Sequence, residues 1–91
     1  MSCTHDLKTI DLYFDAVERG EKTFEVRLND RAFQTGDLLI LRRYEIDHWS
    51  KRPFPSVPSR TIKKRITYLL QGGQFGIDAR YCVLGLGEVQ P

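Results

Sequence analysis

Ninety-one residues, 41% of them apolar and 29% charged, suit one folded domain spanning 1–91 and exclude a disordered tail. The longest clean apolar run, Leu38-Leu39-Ile40-Leu41, is far shorter than the roughly 18 residues of a membrane-crossing helix, so no membrane partner is expected. The net charge is +2, yet Arg42 to Arg65 holds eight cations against Glu45 and Asp47, a local +6 that leaves −4 elsewhere. Such an asymmetry suits a polyanion partner or a solvated basic loop.

The chain opens with weak alternation over 3–8, a short strand. No apolar stretch follows a basic start in Met1 to Lys8, and Cys3 and Cys82 lie near opposite ends, which reads as reduced thiols in a cytoplasmic protein. From Thr9 the period changes. Ile10, Tyr13, Phe14 and Val17 follow the spacing of one helical face and predict a helix over 10–19, with Thr9 or Asp11 as N-cap and Gly20 as the left-handed stop. After Gly20 the period becomes two. Phe24, Val26 and Leu28 alternate with Thr23, Glu25, Arg27 and Asn29, the pattern of a half-buried strand whose polar face serves a function.

Gly36-Asp37 turns the chain into a strand from Leu38 to about Glu45, apolar on both faces at its start. Pro53, Pro55 and Pro58 exclude a regular central strand from 46–59, which is read as an extended loop carrying Trp49 and Phe54. Ile62, Ile66, Tyr68 and Leu70 share one parity of the next strand; Lys64 breaks it and should mark a strand end or a bulge. A loop over Gln71 to Gly76 leads to a final strand from Arg80 to Val89. Strands dominate and too few helices alternate with them for a parallel sheet. The class is therefore mainly β with one or two helices (α+β), arranged as a small mixed barrel whose closure removes exposed edges.

Chemistry concentrates in Gly20-Glu21-Lys22-Thr23-Phe24-Glu25-Val26-Arg27. Glu25 and Arg27, two residues apart on a strand, stand about 7 Å from each other on one face. A carboxylate there accepts from a base's amine edge, a guanidinium pairs with phosphate or stacks on a ring, and Lys22 adds a mobile charge. The plain alternative is a surface ion pair worth at most about 1 kcal/mol. Other sites are weaker. His5 and His48 have no Ser or Cys partner at motif spacing, and Cys3 with His5 falls short of a zinc site, so no metal and no cofactor is expected. Gly72-Gly73-Gln74-Phe75-Gly76 lacks the context of a phosphate loop.

The run G-x-K-x-x-E-x-R, here Gly20, Lys22, Glu25 and Arg27, resembles the signature of the ASCH domain, a branch of the PUA-like superfamily. The similarity continues through His5-Asp6-Leu7-Lys8, Asn29-Asp30-Arg31, Phe33, Gly36-Asp37, Leu38 to Leu41, Ile66-Thr67-Tyr68 and Tyr81 to Leu86. It points to a small bacterial and phage subfamily presumed to bind RNA. The resemblance implies a PUA-like barrel with a ligand groove lined by Lys22, Glu25 and Arg27. The basic segment would then be a rim for a phosphate backbone: Arg42, Arg43, Lys51, Arg52, Lys63 and Arg65, with Trp49 as a stacking platform. Tyr44, within a strand, is expected in the core. The partner is RNA or a nucleotide-type ligand.

Two alternatives stand beside this reading. A related ASCH-like group hydrolyses the amide of acylated cytidines with a threonine, a lysine and a glutamate. This chain has Glu25 where that threonine sits, so hydrolysis would fall to Lys22, Thr23 and Glu25, with Thr23 as a displaced nucleophile. The other alternative is a protein-interaction module using Trp49 and the proline-rich loop.

Overall fold

Leu38 to Leu41, apolar on both faces, lies in a strand with neighbours on both sides. In the computed structural model, which describes residues 2–89, this run opens β3 (Leu38–Ile46), flanked by β1 (Thr4–Ile10) in parallel and β5 (Thr61–Gln71) in antiparallel. β2 (Phe24–Leu28) and β6 (Tyr81–Gly87) extend the sheet to the order β1-β3-β5-β6-β2. One helix, α1 (Asp11–Glu18), joins β1 to β2. The architecture is mainly β with one short helix, as the sequence implies.

The barrel, however, is not closed. β1 and β2 are the two ends of the sheet, and no backbone ladder joins them among the described residues. The sheet curls far enough for side chains to do so: Arg27 on β2 donates from Nη1 to the Lys8 carbonyl on β1 at 2.9 Å, and Arg31 donates to the Asp6 carbonyl at 3.0 Å. Asp6 and Lys8 are the residues whose backbone groups point away from β3, since the Cys3 carbonyl, on the opposite parity, accepts from Leu38. Arginine donors thus serve carbonyls that a closing strand would otherwise satisfy.

Phe14 and Val17 of α1 are buried, and join Leu7, Phe33, Leu39, Leu41, Ile66, Cys82 and Leu84 in one apolar cluster. Tyr13, on the expected buried face, is half exposed. The N-cap is Ile10 rather than Thr9 or Asp11; its side chain offers no acceptor, and Asp11 instead accepts from the Leu12 amide within the first turn. Gly20 ends the helix at φ +83°, and the Glu21 and Lys22 amides both return to the Ala16 carbonyl at 3.0 Å.

Three further expectations change. The proline-rich segment is not wholly loop: β4 (Pro53–Pro55) pairs with Tyr44 to Ile46 as a short edge strand, a position that tolerates proline. The ladder shift in β5 falls between Ile66 and Tyr68, not at Lys64. It turns Tyr68 outward and Leu69 toward the core, while Lys64 stays mid-strand on the inner parity and reaches Glu88 at 2.7 Å. Tyr44 is half-buried on the outer face, with the Lys8 ammonium 5.3 Å from its ring centre, and is not part of the core.

The burial of β2 is reversed from the usual amphipathic strand. Phe24, Val26 and Leu28 are 44–50% exposed, whereas Glu25 is 3% exposed. Glu25 pairs in register with the fully buried Leu84, and Arg27 with buried Cys82, so the polar parity faces the interior.

Candidate ligand site at the open seam

Two elements fix the site. The helix end anchors Lys22 through its amide bond to Ala16, and the β2–β6 ladder fixes Glu25 and Arg27. Lys22 Nζ lies 2.5 Å from Glu25 Oε2 and 2.7 Å from the Phe24 carbonyl. Arg27 donates to Glu25 Oε1 from Nε at 3.1 Å and from Nη2 at 2.8 Å, and to Thr9 Oγ1 at 2.9 Å. Burying one carboxylate unpaired costs several kcal/mol, and two cations with good geometry remove that cost.

Among the described residues these bonds leave donors over. The lysine has three N–H groups and uses two; the guanidinium has five and uses four, the last on Nη1. The triad is net positive by one. It forms the floor of a hollow of about 460 Å³ between β1 and β2, walled by Ile10, Tyr13, Phe24 and Val26 with Lys8 at its edge. Lys22 Nζ sits 4.9 Å from the Phe24 ring centre and 5.3 Å from that of Tyr13. A second hollow of about 320 Å³ continues along the seam beyond Arg27, where Arg31, Phe33 and Tyr81 contribute. The arrangement can hold a planar ligand rich in acceptors.

The structure brings together Lys22, Glu25 and Arg27. It leaves Thr23 apart: this residue is exposed just ahead of β2, its carbonyl accepts from Leu86, and its hydroxyl bonds to neither Lys22 nor Glu25. The sequence reading missed Thr9, Tyr13 and Phe24, which reach the hollow through the curl of the sheet. Tyr13 carried a signal in hindsight, as an aromatic about two turns before the helix stop.

The six cations assigned to the rim divide into three groups. Arg43 is structural: it grips Asp15 of α1 through two bonds of 2.9 and 3.0 Å and also meets Glu45 and Ser56. The Arg43 guanidinium beside Asp15 holds that carboxyl below its ordinary range. Arg42 pairs with Asp6 at 2.8 Å on the outer face, where Lys63 and Arg65 stand in neighbouring register positions with no ion pair among the described residues. Lys51 and Arg52 lie at the tip of the β3–β4 hairpin with Trp49, which is 89% exposed. Asp47 shapes that tip by accepting from the Trp49 and Ser50 amides. Arg60, in the same basic segment, bonds Glu18 and helps to pin α1.

Neither histidine sits at the seam. His5 is largely buried, meets Asp37 at 2.8 Å and stacks edge-on against Phe33 at 4.7 Å. Both cysteines are free thiols, and burial pushes the Cys82 thiol up. No cluster of three metal-ligating side chains occurs among the described residues, and no helix there is long and apolar enough to cross a membrane.

Fold and seam together define a mainly β, α+β domain with a charged recess between its two sheet ends. Residues 4–86 match the family described as Domain of unknown function (DUF3850), and the chain belongs to it. No curated protein matches the sequence.

Proposed function

We propose that this chain is an RNA- or nucleotide-binding module of the ASCH, PUA-like kind, with the seam hollow as its ligand site. The observation that carries the reading is the Lys22–Glu25–Arg27 triad: a buried carboxylate under two partly buried cations, net positive, with donors left over, beneath walls that include Tyr13 and Phe24. Phosphate and base carbonyls are acceptors that such donors bind, and aromatic rings stack on bases. The outer face adds a path for a backbone. Lys8, Arg42, Lys63 and Arg65 share the outer parity of β1, β3 and β5; Asp6 on that face pairs with Arg42, which leaves Lys8, Lys63 and Arg65 as cations without an ion pair among the described residues. A cytoplasmic location, where free thiols persist, goes with this reading.

The same geometry favours binding over amide hydrolysis. Both oxygens of Glu25 already accept bonds from Lys22 and Arg27, and the Thr23 hydroxyl makes no hydrogen bond to either Lys22 or Glu25, the partners a nucleophilic mechanism needs. The test is titration of single-stranded RNAs and nucleotides at several salt concentrations. Micromolar or tighter binding that weakens with salt supports the proposal; absence of binding across the panel, or affinity indifferent to salt, refutes it.

A further inference from the structure

The ladder between β2 and β6 has a consequence for what the hollow can recognise. The Thr23 carbonyl accepts from Leu86 and the Asn29 amide donates to Arg80, each at the register of a hydrogen-bonded pair. In an antiparallel ladder such pairs alternate, so residues 23, 25, 27 and 29 turn their backbone groups toward β6. Residues 24, 26 and 28 turn theirs the other way, into the seam. The Phe24 carbonyl confirms the direction, since Lys22 reaches it from that side. Val26, which lines both hollows, therefore presents an N–H donor and a C=O acceptor side by side to the ligand space, with no strand to pair them.

A peptide strand does not fit this edge. Arg27 crosses the seam, bonded to Glu25 on one side and to Thr9 and Lys8 on the other, and divides it in two. The β1 carbonyls that a strand would use on the far side are already taken by Arg27 and Arg31. A small planar group with its own adjacent donor and acceptor does fit.

We infer that the Val26 peptide edge reads the base of the nucleotide, selecting bases that carry a ring carbonyl. This rests on the nucleotide-binding reading above. Every nucleobase has a donor next to an acceptor, which pairs with one amide edge; uracil and cytosine then keep a second carbonyl group for the spare N–H of Lys22 or Arg27, guanine keeps the second lone pair of O6, and adenine has no carbonyl oxygen. Ribose phosphate has hydroxyls but neither a planar donor–acceptor edge nor a ring carbonyl.

The test titrates UMP, GMP, AMP and ribose 5-phosphate into the wild type, Val26→Pro and Val26→Ala. Proline removes the N–H that faces the seam and holds Glu25 before it in the extended region that β2 already occupies, a substitution edge strands accept. UMP and GMP are expected to bind about tenfold or more tightly than AMP, in keeping with one charge-assisted bond to the carbonyl, and AMP in turn more tightly than ribose 5-phosphate, which lacks a base for the amide edge. Val26→Pro should level the four, and Val26→Ala should keep the ranking. Val26→Pro that retains the wild-type ranking, or a wild type that binds AMP as well as UMP, overturns the inference and leaves nucleotide binding standing. RNA binding without mononucleotide binding does the same, whereas no binding of any kind overturns both. Amide exchange in the wild type decides the matter without a variant: the Val26 amide should exchange fast in the free protein, unlike those of Glu25 and Arg27, and slow about tenfold with saturating UMP. An unchanged Val26 rate in that complex refutes base reading at this edge.

Discussion

Two acid–base clusters in this molecule use the same groups to different ends. Asp15 and Arg43 join α1 to β3, with Glu45 and Ser56 completing the arginine's bonds. Packed elements lie on both sides, and the cluster fastens the helix. Glu25, Lys22 and Arg27 lie instead where the sheet fails to close, and their remaining donors face a hollow. The difference is one of place. A charged cluster between two packed elements is a fastening, and the same cluster at an unpaired sheet edge is available to a ligand.

Removing each acid should expose the contrast most strongly. Glu25→Ala leaves two cations facing each other over a 3% exposed position, and should cost about 3 kcal/mol in denaturant unfolding. Asp15→Ala, where the acid side chain is 34% exposed, should cost clearly less. Equal losses would erase the distinction between the clusters.

Arg27→Lys sharpens it next. The charge survives, but the fork that spans Glu25, Thr9 and the Lys8 carbonyl does not. A loss of about 1–2 kcal/mol is expected in the same unfolding measurement, from hydrogen bonds removed at a partly buried charged group. Nucleotide affinity should fall as well. Retained stability and affinity would mean that charge alone, without the seam-crossing bonds, is sufficient.

The helix, the glycine stop and the apolar start of β3 were legible in the sequence because local period and turn chemistry set them. So was the nearness of Glu25 and Arg27, which strand geometry alone requires. The direction in which β2 faces was not legible. Alternation gives two faces, and apolar side chains are normally the inner one; here Lys22 and Arg27 neutralise Glu25 and let the polar face turn inward. The open seam was equally hidden, since it depends on how far the sheet curls. Arg42 and Arg43 look alike as a dipeptide, yet strand alternation sends one outward to Asp6 and the other inward to Asp15.

A third acid, at the other end of β1, tests whether burial with partners always has the stabilising role seen at Asp15. Burial alone would raise the Asp37 carboxyl, but the His5 ring and the Cys3 and Gln34 amides outweigh it and hold the group below its ordinary value. A carboxyl lowered on folding adds stability above its unfolded pKa, and that contribution is lost as pH falls through the folded value. The gap in stability between wild type and Asp37→Asn should therefore shrink as pH falls below about 4. A gap independent of pH would assign Asp37 a packing role only.

The smallest effect on the fold, and the sharpest on the partner, belongs to Lys63 and Arg65. Both are exposed on the outer parity of β5, and neither has an ion pair among the described residues. Replacing both with alanine should change stability by less than about 0.5 kcal/mol. If an RNA strand leaves the seam across β1, β3 and β5, each lost phosphate contact should lower the salt slope for single-stranded RNA by about 0.7, so about 1.4 for the pair. Mononucleotide affinity should stay as it was, because the hollow lies two strands away. A slope unchanged in the double variant would confine recognition to the seam, and the outer cations would then serve solubility alone.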